Sequence, residues 1–277
     1  MKRLPFFTLD VFTKEAFSGN PLAVVLEADG LSDARMLAIA REFNLSETIF
    51  VQSPEDPAHS AKVRIFFPTA EIPFAGHPTL GTCHAWLEAG GEPRSDVIVQ
   101  ECGAGLVRIR RDGDVLAFAA PPLQRSGPLD EVDVERIAAG LGLTRTDIVD
   151  HQWCDNGPGW MAVLLESADQ VLSIRPDPHL LAGLDVGVIG PHSSGDVDYE
   201  VRAFFPGNSG LTEDPVTGSL NAALAQWLIG SGRAPGNYLA AQGTAMGRAG
   251  RVHVMREGDD IWIGGRCVTV IAGEESI

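Results

Sequence analysis

Hydrophobic positions along the chain fall in short runs, broken by glycine, proline and acidic turns, in a mixture of strand and helix periods. Leu4 to Phe12 and Pro21 to Leu26 read as strands joined by the turn Phe17-Ser18-Gly19-Asn20. Ser32 predicts a helix N-cap, with a helix running to about Phe43 and an acid in its first turn. Leu45, Glu47, Ile49 and Val51 share one parity, which predicts a strand whose apolar face carries a carboxylate. A helix is expected from His77 to Glu88, with Pro78 in its first turn and Gly90-Gly91 ending it. Strands near 96–101, 105–111 and 114–119 follow, and Ala119-Ala120-Pro121-Pro122 reads as the domain boundary. Beyond it the pattern predicts helices at 131–141 and 216–229. It also predicts strands near 160–165, 186–189, 197–205, 251–256 and 260–264, and a final run from Cys267 to Ile271.

One segment occurs twice. Val63-Arg64-Ile65-Phe66-Phe67-Pro68 returns as Val201-Arg202-Ala203-Phe204-Phe205-Pro206, half of the 277-residue chain later. Trp86-Leu87 returns as Trp227-Leu228. Each copy reads strand, proline-ended turn, polar loop, helix. The expectation is two homologous halves related by a pseudo-twofold axis. With no regular βαβ alternation, the fold class is α+β, each half a curved, largely antiparallel sheet wrapping a helix.

Composition narrows the function. Hydrophobic residues are 44% and charged residues 21%, which excludes a disordered chain. A formal net charge of −16 argues against nucleic acid or an anionic membrane surface as partner. No run is long enough for a membrane span, and Pro5, Thr8 and Asp10 interrupt any signal-peptide core. Cys83, Cys102, Cys154 and Cys267 form no CxxC, so a reduced, cytoplasmic protein without a zinc framework is expected. The histidines show no metal spacing, and the phosphate-loop, GxGxxG and GxSxG patterns are absent.

Candidate chemistry gathers at two helix starts, Ala75-Gly76-His77-Pro78-Thr79 and Glu213-Asp214-Pro215-Val216-Thr217-Gly218-Ser219. Free N–H groups and the helix dipole make each a place for an anion such as a carboxylate. The plainer alternative is capping, with Asp214 as N-cap before Pro215. Glu47 on an apolar face suits proton transfer, the alternative being an ion pair with Arg41 or Arg64. His77, where a helix dipole disfavours its cation, suits a neutral donor or proton shuttle. Ser219 and Ser46 read as binding or capping hydroxyls. Trp153 and Trp160 are expected in the core.

Four segments together resemble the phenazine-biosynthesis PhzF-like family, within the diaminopimelate epimerase fold. They are Phe17-Ser-Gly-Asn-Pro-Leu-Ala-Val-Val25, Asn44-Leu-Ser-Glu-Thr48, Phe74-Ala-Gly-His-Pro-Thr-Leu-Gly81 and Glu213-Asp-Pro-Val-Thr-Gly-Ser219. The resemblance implies two pseudo-symmetric domains, 1–118 completed by the terminal strand 266–277 and 119–265, an active-site cleft between them, and a homodimer. The related racemases use two cysteines as acid and base. Ala75 stands at the first of those positions and residues 214–219 hold no cysteine, so two-thiol chemistry is not expected.

By resemblance, the activity is isomerisation of a small carboxylate-bearing, amino-acid-like molecule without metal or organic cofactor, as for trans-2,3-dihydro-3-hydroxyanthranilate. Glu47 would be the base that moves a proton. His77, Asp214 and Ser219 would bind and steady the substrate. Gly76 and Gly218 would admit it close to the backbone, and Asn20 would contribute from its turn. Two alternatives stay open: an epimerase using Glu47 with Asp214 or His77 on opposite faces, and a protein that binds a small molecule or partner without turnover.

Overall fold

The structure, a computed structural model, describes residues 3–207 and 210–276. It divides into two compact units, Met1–Ala119 with Gly264–Ile277, and Ala120–Ile263.

The first unit runs β1 (Arg3–Val11), β2 (Asn20–Val25), α1 (Asp33–Phe43), β3 (Thr48–Gln52), β4 (Ala61–Phe66), β5 (Glu71–Ile72), α2 (Gly76–Glu88), β6 (Val97–Cys102), β7 (Gly105–Asp112) and β8 (Val115–Ala119). The terminal strand Cys267–Ser276 pairs antiparallel with β1 along its whole length. Two parallel pairs, β2 with β3 across α1 and β4 with β6 across α2, interrupt an otherwise antiparallel sheet.

After an added first helix, the second unit repeats this order. It runs α3 (Glu131–Leu141), β9 (Ile148–Trp153), β10 (Met161–Leu165), α4 (Ala168–Ser173), β11 (Val186–Pro191), β12 (Tyr199–Gly207), β13 (Gly210–Glu213), α5 (Gly218–Gly230), β14 (Asn237–Gln242) and β15 (Gly250–Glu257), with β16 (Asp260–Gly265) after it. The same two parallel pairs recur, β10 with β11 across α4 and β12 with β14 across α5.

In each unit one helix is buried nearly all round. From Gly76 to Cys83 every residue of α2 is buried, and the helix packs against β1, β2, β3, β8 and the terminal strand. α5 is apolar on almost every side, with Leu220 to Ala225 all buried. A helix without a polar stripe can be stable only inside the fold, so the sheet curls around it. Close seating needs glycine on one partner: a Cβ at Gly81 of α2 would lie 2.4 Å from Leu22, and one at Gly187 of β11 would lie 2.4 Å from Leu220 of α5. The outer helices pack on cores of their own, α1 through Met36, Ile39 and Ala40 on Phe50 and Phe66, and α3 through Val134, Ile137 and Leu141 on Met161, Val163 and Phe204.

The repeat extends to an ion pair. Arg64 of β4 forks onto both carboxylate oxygens of Glu71 in β5, and Arg202 of β12 does the same to Glu213 in β13. Each guanidinium also lies near a phenylalanine ring, Phe66 at 5.3 Å and Phe204 at 4.9 Å. Arg202 is 5% exposed and donates to the carbonyls of Val171 and Ile174 at the end of α4, whereas Arg64 is 19% exposed and shares its charge with Asp33.

The structure departs from the sequence reading in identifiable places. Strand β3 starts at Thr48, and its residues Thr48 to Val51 are buried on both faces, so parity did not mark an exposed side. Asn20 opens β2 instead of closing the turn. Helix α5 starts at Gly218 with Thr217 as its N-cap, which removes Asp214 from the capping position. Strands β9 and β14 and the helix α4 carried too little periodicity to be placed from sequence.

Removing one partner from a desolvated pair costs more than removing one from a wet pair. Glu213→Gln is expected to lower stability by about 3 kcal/mol and Glu71→Gln by under about 1 kcal/mol. Urea unfolding of the two variants beside wild type measures the difference.

Candidate active site

In the first unit three sequence-marked residues meet at the start of α2. His77, the second helical residue, is 4% exposed, and Glu47, in the link before β3, is 6% exposed. His77 Nε2 lies 3.2 Å from Glu47 Oε2, in contact but not aligned as a hydrogen bond. Asn20, fully buried at the start of β2, places its Nδ2 3.4 Å from His77 Nδ1. With the amide as donor, Nδ1 is an acceptor and the ring proton sits on Nε2, the nitrogen in contact with Glu47.

The ion pairs that would have given Glu47 a structural role are made elsewhere. Arg64 is engaged by Glu71 and Asp33, and Arg41 donates to the carbonyl of Pro68. Glu47 Oε2 is buried and accepts no hydrogen bond among the described residues. No side chain caps α2, so Gly76 and His77 sit where helical N–H groups are open to an anion.

In the second unit Gly218 and Ser219 hold the same first and second helical positions in α5, again without a side-chain cap on the helix. The preceding loop is held by the buried Gln242 of β14. Its Oε1 accepts from the Thr217 N–H and from Asn221 Nδ2, and its Nε2 donates to the Asp214 carbonyl and to Thr217 Oγ1. Thr217 in turn donates its hydroxyl to Asp214 Oδ2 at 2.6 Å, fixing that carboxylate at the helix start. Ser219 Oγ accepts from the Trp160 indole at 3.1 Å, and the Ser219 carbonyl accepts from Asn156 Nδ2 at 2.8 Å.

Sequence reading missed Gln242, Thr217, Asn221 and Asn156 as parts of this construction. The repeat held a signal for one of them. Gln242 follows Gly218 by the same interval at which Gln100 follows Gly76, and Gln100 reaches the Thr79 carbonyl of α2.

The cysteines offer no acid–base pair. Burial pushes Cys83 and Cys154 up to about 12 and also raises Cys102 and Cys267. Among the described residues no cluster of histidine, cysteine and carboxylate could hold a metal ion, and no helix is long and apolar enough to cross a membrane.

The sequence matches the phenazine biosynthesis-like protein family (PhzC-PhzF) over residues 9–273. The chain belongs to the PhzF family. It is 34% identical to trans-2,3-dihydro-3-hydroxyanthranilate isomerase of Pseudomonas aeruginosa, over 91% of this chain and 90% of that protein. The fold overlays a PhzF-family structure from Enterococcus faecalis with a TM-score of 0.82 at 28% identity, covering all of both chains. Its wider likeness is to the epimerases. A hydroxyproline epimerase from Agrobacterium vitis matches with a TM-score of 0.61 at 15% identity, over 98% of this chain and 92% of that one, which places the PhzF chain in the diaminopimelate epimerase-like fold.

Gln242→Leu keeps the volume but leaves the Thr217 N–H, the Asn221 amide and the Asp214 carbonyl without their partner. A loss of about 3 kcal/mol is expected from buried groups left unsatisfied, read as a lowered melting temperature in calorimetry, with wild-type far-UV circular dichroism retained below the transition.

Proposed function

We propose that this PhzF-family protein is an isomerase that shifts a proton, without a cofactor, between two carbons of a small carboxylate-bearing, amino-acid-like substrate. The observation that carries the reading is the buried Glu47 carboxylate, with one oxygen free of hydrogen bonds among the described residues, set against His77 at an uncapped helix start. A base in a dry site reacts with a carbon acid more readily than a solvated one. A carboxylate oxygen that accepts no hydrogen bond among the described residues is available for that work.

In the reaction Glu47 removes a proton from one carbon while the substrate's double bond shifts, and its conjugate acid returns the proton to another carbon on the same face. The formula of the substrate is unchanged. His77, in contact with Glu47 through Nε2, steadies the carboxylate as its charge changes. Gly76 and Gly218 each lead an uncapped helix, whose N–H groups suit a carboxylate without adding a full positive charge. Asp214 and Ser219 are polar groups suited to binding substrate, and Asn20 fixes the His77 ring.

The name of the Pseudomonas aeruginosa relative supports trans-2,3-dihydro-3-hydroxyanthranilate as the first compound to try. The raised thiols speak against a two-cysteine epimerase. Proton NMR in D2O with wild type and Glu47→Gln tests the reading. Wild type is expected to convert the compound to an isomer, and Glu47→Gln to be slower by about 10³-fold. An unimpaired Glu47→Gln enzyme, or tight binding without conversion by wild type, would contradict it.

A further inference from the structure

Ser219 is supported by a loop that the assignment above leaves unused. Residues 154–160 read Cys-Asp-Asn-Gly-Pro-Gly-Trp. Asp155 Oδ1 accepts from the N–H groups of Gly157 and Gly159, and the Cys154 N–H donates to the Trp160 carbonyl, so the loop closes on itself. Gly157 and Gly159 have φ of 141° and 90°, a backbone that only glycine adopts readily.

Two side chains leave this loop for Ser219. An indole N–H can only donate, so Trp160 occupies a lone pair of Ser219 Oγ and leaves the hydroxyl hydrogen to point elsewhere. Ser219 is thereby set as a donor toward an acceptor such as a carboxylate. The first unit has a parallel: His77, the second residue of α2, takes its hydrogen bond from Asn20 at the start of β2, and Ser219, the second residue of α5, takes its own from Trp160 just before β10.

Asn156 has a fixed orientation. Its partner is the Ser219 carbonyl, which can only accept, so Nδ2 must be the atom on that side. Oδ1 is therefore on the other side. Asn156 is 9% exposed, and Oδ1 is buried and accepts no hydrogen bond among the described residues. An amide oxygen buried without a donor is costly, and a ligand donor removes the cost.

Resting on the isomerase reading, we propose that Asn156 is a substrate-binding residue whose Oδ1 accepts from the substrate's amino group, and that Trp160 is a positioning residue that sets Ser219 as a hydrogen-bond donor. Carboxylate and amine are thus read by neighbouring groups of one loop and one helix start, and the amine preference of the enzyme resides in Asn156.

Titration calorimetry with 3-hydroxyanthranilate and 3-hydroxybenzoate, which differ in the amine alone, tests this. Wild type is expected to prefer the amine-bearing ligand by about tenfold, the worth of one hydrogen bond. Asn156→Ala weakens both ligands through lost support of Ser219, but reduces the ratio to within twofold of unity. Asn156→Asp also loses the bond to the Ser219 carbonyl and weakens both ligands, but it is still an acceptor on the other side and keeps the preference. A ratio unchanged in Asn156→Ala, or no preference in wild type, would overturn the proposal. If wild type binds neither ligand and isomerises nothing, the isomerase reading falls and takes the proposal with it.

For Trp160 the readout is coupling: Trp160→Phe keeps the packing and removes the N–H. It should lower kcat/KM several-fold in wild type and by less than twofold in Ser219→Ala. Equal losses in both backgrounds would make Trp160 a packing residue only.

Discussion

Everything in each half depends on burying one helix on nearly all its sides. A helix such as α2 or α5 has almost no wet face, so the sheet must enclose it, and its buried first turn cannot be satisfied by bulk water as an exposed helix would be. In most helices a serine, threonine or aspartate covers the first N–H groups, as Ser32 does for α1 and Ser167 for α4. Neither α2 nor α5 has such a cover. Glycine stands at the first helical position of both, so the backbone is approachable as well as uncapped. A structural demand, the enclosed helix, and the carboxylate binding proposed at its uncapped start draw on the same feature. In a chain carrying a net charge of −16, that is a way to attract a carboxylate without clustering basic side chains.

The residues around these helix starts follow the same economy. Carboxylates meet arginine where stability is needed, and Glu47 and Asp214, where chemistry is proposed, lie against His77 and Thr217. Glu71 and Glu213 absorb the two repeat arginines, and Glu47 is left beside His77. Asp214 is held by a neutral hydroxyl. The supporting groups are amides and an indole, Asn20, Gln242, Asn156 and Trp160, which fix geometry without supplying charge. Preorganised neutral donors of this kind leave the charge balance to the substrate.

Much of this was legible in the sequence because it is written twice. The Val-Arg-x-Phe-Phe-Pro repeat, Gly76 with Gly218, and the paired tryptophans pointed to an α+β fold with a central helix per half. Glu47 stood out because it was a carboxylate among apolar residues, although the parity argument was too simple: Thr48 and Phe50 are buried as deeply as Ile49. What could not be read was whatever depends on contacts far apart in the chain. Gln242 lies 25 residues beyond Thr217, and Trp160 lies 59 before Ser219. A lone glutamine or tryptophan carries no period. The capping alternative at Asp214-Pro215 does not hold, because the chain spends three more residues before the helix begins at Gly218.

The central claim is that one buried carboxylate both takes and returns the proton. The most direct measurement is isomerisation in ordinary water of trans-2,3-dihydro-3-hydroxyanthranilate carrying deuterium on the carbon that loses its hydrogen. A base shielded from solvent returns part of what it took, so mass spectrometry of the early product should find deuterium at the new position, and Glu47→Gln should form no such product at a comparable rate. Product free of deuterium from the first turnovers, or formed as fast by Glu47→Gln, would contradict the account.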